Sequence, residues 1–142
     1  MKNLISKIIT PVVLIAICVG SLSVWVYAAS DYYTSTLIFQ GEHEGTVRTY
    51  NHNNIAYSAS VQSYVGNYRI TSSSKYSPTY KVSLYIKTWL FGSEEVGYKY
   101  LSRYGYGEAK WTNVGSGDYF FRFEKARDSV DVKSNNVVMR GY

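Results

Sequence analysis

Four groupings carry residue types that could do chemistry. His43 and His52 lie in "GEHEGTVRTYNHNN" with Glu42 and Glu44 beside them. Two imidazoles and a carboxylate can hold zinc, but the spacing follows no zinc pattern, so polar loop residues are expected. "ARDSVDVKSNN" gathers Asp128, Asp131, Asn135 and Asn136. Asp128, Asp131 and Asn135 are the candidate oxygen ligands for calcium, although they lack the spacing of a calcium loop and Asp and Asn are ordinary turn formers. In "NVGSGDYFFRFEKA" the order Gly115-Ser116-Gly117 is neither the Gly-x-Ser-x-Gly of a nucleophile elbow nor the Gly-Lys-Ser/Thr of a phosphate loop. It is predicted to be a hairpin turn whose glycines supply positive φ. Glu94 and Glu95 would point to opposite faces of a strand, whereas glycoside hydrolysis needs two converging carboxylates. No serine is singled out for a Ser-His-Asp triad. Neither an enzyme nor a cofactor is expected.

The most informative grouping is "TYKVSLYIKTWL". Tyr80, Val82, Leu84, Ile86 and Leu90 share one parity and are predicted to face a core; Lys81, Tyr85, Lys87 and Trp89 share the other. A hairpin through "FGSEE" follows, and its loop length decides which residues join them. A two-residue Gly92-Ser93 loop would set Val96, Tyr98 and Tyr100 beside Tyr85 and Trp89. A three-residue loop, Gly92 to Glu94, sets them with Leu84 and Ile86 and leaves Lys99 and Arg103 outside. A buried, unpaired Lys99 would cost several kcal/mol, whereas a tyrosine can keep its hydroxyl at the rim. The three-residue loop is therefore expected. It yields a cationic face of Lys81, Tyr85, Lys87, Trp89, Lys99 and Arg103.

The elements that would position this face are strands. Sixteen tyrosines, two prolines and no amphipathic helical stripe describe β structure. Ser30 to Thr34 reads as an entry arm, Thr36 to Gln40 and Thr46 to Tyr50 as short strands about the turn "GEHEG". In "NIAYSASVQSY" Ile55, Tyr57, Ala59 and Val61 alternate with polar residues. Further strands are expected near Val65 to Thr71, Glu95 to Arg103, Gly107 to Thr112, Tyr119 to Lys125, Val130 to Lys133 and Asn136 to Arg140. Tyr119, Phe121 and Phe123 should point inward, with Phe120 the exception to the alternation. The reading is all-β: one antiparallel sandwich, with a jelly roll among the compatible forms.

At the start of the chain Lys2 and Lys7 precede an apolar run, Ile8 to Val19, and then Val26-Tyr27-Ala28. That order is a secretory signal peptide, residues 1–28, with a mature domain over 29–142; a retained signal anchor is the alternative. The one cysteine, Cys18, falls inside this segment behind the bulky Ile17, which argues against lipidation and leaves the mature domain without thiols. Removing Lys2 and Lys7 lowers a net charge of +5 by two, too little for a nucleic-acid protein.

The stretch "WTNVGSGDYFFRFEKARDSVDVKSNNVVM" resembles the closing strands of small exported β-sandwich proteins of Gram-positive bacteria, over roughly Tyr80 to the end. The resemblance implies fold and export and carries over no active site. The expectation is a secreted, non-enzymatic binding module for a glycan or an anionic cell-envelope surface. A secreted membrane-active effector is the alternative and a hydrolase the third.

Overall fold

Alternation along the chain is realised as strands. The computed structural model describes residues 31–71 and 75–142, and among these the secondary structure is ten strands and no helix. The expected signal peptide and Cys18 lie outside the described residues. The strands are β1 (Tyr32–Phe39), β2 (Glu42–Glu44), β3 (Arg48–Tyr50), β4 (Ile55–Val65), β5 (Tyr68–Ile70), β6 (Thr79–Thr88), β7 (Gly92–Ser102), β8 (Gly105–Trp111), β9 (Gly117–Glu124) and β10 (Asp131–Gly141).

All pairings are antiparallel, in two sheets. The first runs β1-β10-β4, with β8 and β5 in line along the far edge of β4. The second runs β9-β6-β7, with β2 and β3 in line along the near edge of β9. With β2 and β3 counted as one interrupted strand and β5 set aside, the chain passes back and forth between the sheets in the order of a jelly roll.

Three expectations change. The Gly115-Ser116-Gly117 segment is no hairpin turn: β8 pairs with β4 in the first sheet and β9 with β6 in the second, so residues 112–116 cross between sheets. Gly115 does have φ near 83°, and the Tyr119 hydroxyl pins the crossing by donating to the carbonyls of Val114 (2.6 Å) and Gly115 (3.0 Å). The two strands expected at the C-terminal end are one, β10, interrupted by a register irregularity between Lys133 and Val138. The expected entry arm and the "GEHEG" turn supply parts of β1 and β2.

The core takes one parity from each central strand. Ile55, Tyr57, Ala59 and Val61 are 1% exposed or less, and Tyr80, Val82 and Leu84 match them. Tyr119, Phe121 and Phe123 point inward as predicted, and the Phe121 ring lies 5.6 Å from Trp111 and 5.5 Å from Tyr57. Buried phenols pair where they can: the Tyr57 and Tyr80 hydroxyls are 3.3 Å apart, and burial pushes Tyr80 up to about 12 despite that bond.

Candidate functional site

The outer face of the second sheet is built by β7, β6 and β9. Along β6 the outward residues are Lys81, Ser83, Tyr85 and Lys87; on β9 they are Phe120, Arg122 and Glu124, in register as Lys81↔Glu124, Ser83↔Arg122 and Tyr85↔Phe120. On β7, Glu95 stands opposite Tyr85, Tyr98 opposite Ser83 and Tyr100 opposite Lys81.

The rings and charges of this face hold one another. Tyr85 stacks on Phe120 with centroids 5.2 Å apart and an interplanar angle of 14°. This explains Phe120, which faces outward yet is only 4% exposed. The Arg122 guanidinium lies 5.1 Å above the Tyr85 ring and the Lys81 ammonium 4.7 Å above Tyr98. Tyr98 and Tyr100 meet edge to face at 5.6 Å. Lys81 pairs with Glu124 (3.1 Å) and Glu95 (3.4 Å); Arg122 pairs with Glu44 (3.0 Å) and Glu42 (3.3 Å). Tyr85 donates to Glu95 at 3.0 Å. Partial burial alone would raise the Glu95 carboxyl, but the Tyr85 bond and Lys81 outweigh it and hold it below its ordinary value. For Lys81, desolvation is likewise outweighed by Glu124 and Glu95, and its ammonium is held above the usual range.

The structure brings together three of the six expected residues, Lys81, Tyr85 and Lys87. Trp89 is not on the face: the hairpin loop is Trp89-Leu90-Phe91, between paired Thr88 and Gly92, so both Trp89 and the supposed core residue Leu90 sit at its exposed tip. Lys99 lies on the inward parity opposite Val82, and Tyr98 and Tyr100 take the outward one, the reverse of the expectation. A three-residue loop is present, three positions earlier than expected. A bulge between Leu84 and Tyr85 of the register then shifts β7 by one residue and flips the remainder of the strand. The cost assigned to Lys99 is not incurred, because β7 is an edge strand and Lys99 remains exposed there.

Arg103 follows Leu101 inward and is 0% exposed. Its guanidinium donates to Asp128 at 2.7 and 3.3 Å and to the Ser77 carbonyl at 2.9 Å. Lys125, whose side chain is also fully buried, reaches the same carboxylate at 2.8 Å. Partial burial opposes ionisation of Asp128, but Arg103 and Lys125 draw its carboxyl down to about 2. Of the three expected calcium ligands, Asp128 carries two cations and Asp131 pairs with Lys133 at 3.7 Å. Asn135 belongs to a separate groove of about 340 Å³ on the first sheet, lined also by Ser60, Gln62, Tyr64 and Asn136. The histidines are apart in role: His43 stacks on Phe123 at 6.2 Å, and His52 contacts buried Asp31 at 2.9 Å.

The alternation in β6 located half of the face. Its missing members, Tyr98, Tyr100, Phe120 and Arg122, required knowledge of the bulge and of the β6–β9 pairing. The outward parity of Arg122 and Glu124 was the one available signal for β9.

No family model matches the chain, and no curated protein matches it in sequence. Several solved structures resemble it, three of which follow. PliG, a periplasmic inhibitor of g-type lysozyme from Aeromonas hydrophila, gives a TM-score of 0.44 at 12% identity, over 82% of this chain and 91% of that one. The Yersinia pseudotuberculosis-derived mitogen gives 0.45 at 12% identity, over 80% and 87%. The mosquito-larvicidal Cry4Aa toxin from Bacillus thuringiensis gives 0.36 at 10% identity, over 82% of this chain and 22% of the toxin. At these identities and scores none of the three bears on what this chain binds.

Proposed function

We propose that this protein is an exported, non-enzymatic binding module that takes a glycan chain of a cell envelope across the outer face of its second sheet. The observation that carries the reading is the Tyr98–Tyr100 pair. Both rings are half exposed or more, at 50% and 62%, on a face whose neighbouring side chains are already fixed by ion pairs and stacking. Tyrosine offers a flat apolar face with a polar tip at low entropic cost. The carboxylates of Glu95 and Glu124, both paired with the Lys81 ammonium that lies over Tyr98, offer acceptors for sugar hydroxyls on the same face. Because Lys81 and Arg122 are neutralised within the face, a neutral glycan fits better than the anionic polymer expected of a cationic surface. Export is supported by the order of residues 1–28.

Calorimetry against a panel of cell-envelope polysaccharides tests this. Tyr100→Ala and Tyr98→Ala should each weaken binding about five- to tenfold, near 1 kcal/mol. Added salt should change it little. Tyr64→Ala, in the groove of the first sheet, should leave it intact. Loss of binding through Tyr64 alone would move the site to that groove, and failure of every polysaccharide to bind would end the glycan reading.

A further inference from the structure

The hairpin joining β6 to β7 ends in three consecutive apolar side chains that the core does not use. Trp89, Leu90 and Phe91 are 95%, 70% and 87% exposed. Single exposed apolar residues are ordinary, but three at one projecting tip mark a surface awaiting an apolar partner. Beneath the tip the backbone is closed: Thr88 pairs with Gly92, and its hydroxyl donates to the Gly92 carbonyl at 3.3 Å. The three-residue tip and the outer edge of β7 carry unpaired ladder groups, which suits a hydrated bilayer interface better than a hydrocarbon centre. Trp is the side chain that prefers that interface. Lys87, exposed just behind the tip, can reach lipid phosphate; Glu94, opposite Ile86, and Glu95, opposite Tyr85, are acidic groups on the same hairpin, so charge is secondary to apolar insertion.

A second observation points to the same partner. Asp31 is tied to Asn51, whose backbone N–H donates to its carboxylate at 2.5 Å, and the preceding residue Tyr50 pairs with Gly117 of β9. The β9–β6 register runs from Lys81↔Glu124 to Ile86↔Tyr119, so it carries Thr88 alongside Gly117. Asp31 and the hairpin therefore share one end of the sandwich, where Tyr50, beside the residue that holds Asp31, is about two strand spacings, ~10 Å, from Thr88. The sequence that precedes Asp31 contains the apolar run Ile8 to Val19, which as an export signal would bring this end of the chain to a membrane during export and as a retained anchor would hold it there. Tyr32 and Tyr142, 57% and 43% exposed, lie at the same end.

We infer that this end is a membrane-docking surface, with the Trp89-Leu90-Phe91 tip seated in the interface of a phospholipid bilayer. The glycan face would then stand beside the bilayer and remain open. The inference does not depend on the glycan reading, since its test contains no carbohydrate.

The full chain carrying Trp25→Phe leaves Trp89 and the buried Trp111, 6% exposed, as its fluorophores. On phosphatidylcholine–phosphatidylglycerol vesicles, Trp89 emission should shift to the blue. Lipid brominated near the headgroup end of its acyl chains should quench it roughly twofold, as expected for an interfacial Trp. A further Trp89→Phe change should abolish that quenching. Trp89 remaining open to acrylamide on vesicles, unquenched by brominated lipid, would overturn the proposal. So would a blue-shifted Trp89 in lipid-free solution accompanied by a dimer mass, which would make the tip a contact between copies.

Discussion

The molecule contains two clusters of cations, carboxylates and hydrogen bonds that look alike on paper. Arg103, Lys125 and Asp128 form one; Lys81, Arg122, Glu95, Glu124, Glu42 and Glu44 form the other. They differ in water. The side chains of Arg103 and Lys125 are 0% exposed, whereas that of Arg122 is 33% exposed and that of Glu124 39%. In the first cluster a missing partner leaves a charge stranded in low dielectric. In the second, solvent and salt compensate, so the pairs set side-chain positions and add little stability. Similar chemistry thus supplies a buried strut at the β7–β8 corner and a set of positioned side chains on the proposed binding face of the sheet.

Substitutions can break or sharpen this contrast. The largest effect should come from Arg103→Ala, which empties a fully buried side-chain site and removes its bonds to Asp128 and the Ser77 carbonyl, and should cost about 3–5 kcal/mol by chemical denaturation. That is the scale of a core deletion such as Phe121→Ala. A loss under about 1 kcal/mol would show that the corner is not a strut.

Next is acid. Asp128 has a carboxyl lowered from 3.8 to about 2 in the fold. Its contribution, about 2 kcal/mol, is fully present above pH 4 and is lost as pH falls through 2. Asp128→Asn should lower stability at neutral pH and flatten the steep part of the melting profile between pH 4 and 2. An unchanged profile would place the acid sensitivity elsewhere.

On the exposed cluster, Lys81→Ala should cost no more than about 1 kcal/mol of stability, with less loss in high salt. Trp89→Ala should be the quietest, within about 0.5 kcal/mol in melting experiments, because its side chain leaves no cavity. A Trp89→Ala variant that unfolds would mean that the tip is packed after all.

How much of this was legible beforehand depends on range. Period-two alternation in β4, β6 and β9 was enough to assign Ile55 to Val61, Tyr80 to Leu84, and Phe121 with Phe123 to a core. Side-chain direction in a strand is a local property, and burying one face requires no knowledge of the partner. The same logic identified Lys81, Tyr85 and Lys87 as neighbours, and strand composition was sufficient for an all-β sandwich. What composition and alternation left open was long-range. A one-residue bulge in β7 exchanged Lys99 for Tyr98 and Tyr100, and no local pattern announces a bulge. Whether Lys99 or Arg103 pays for facing inward depended on what covers β7: nothing over Lys99 at the sheet edge, and Asp128 with the corner over Arg103. The Gly-Ser-Gly segment became a crossing between sheets because strand partners are chosen by the packing of distant segments, not by the turn that precedes them. Alternation determined which way side chains point; only the tertiary structure decided which of those directions meets water.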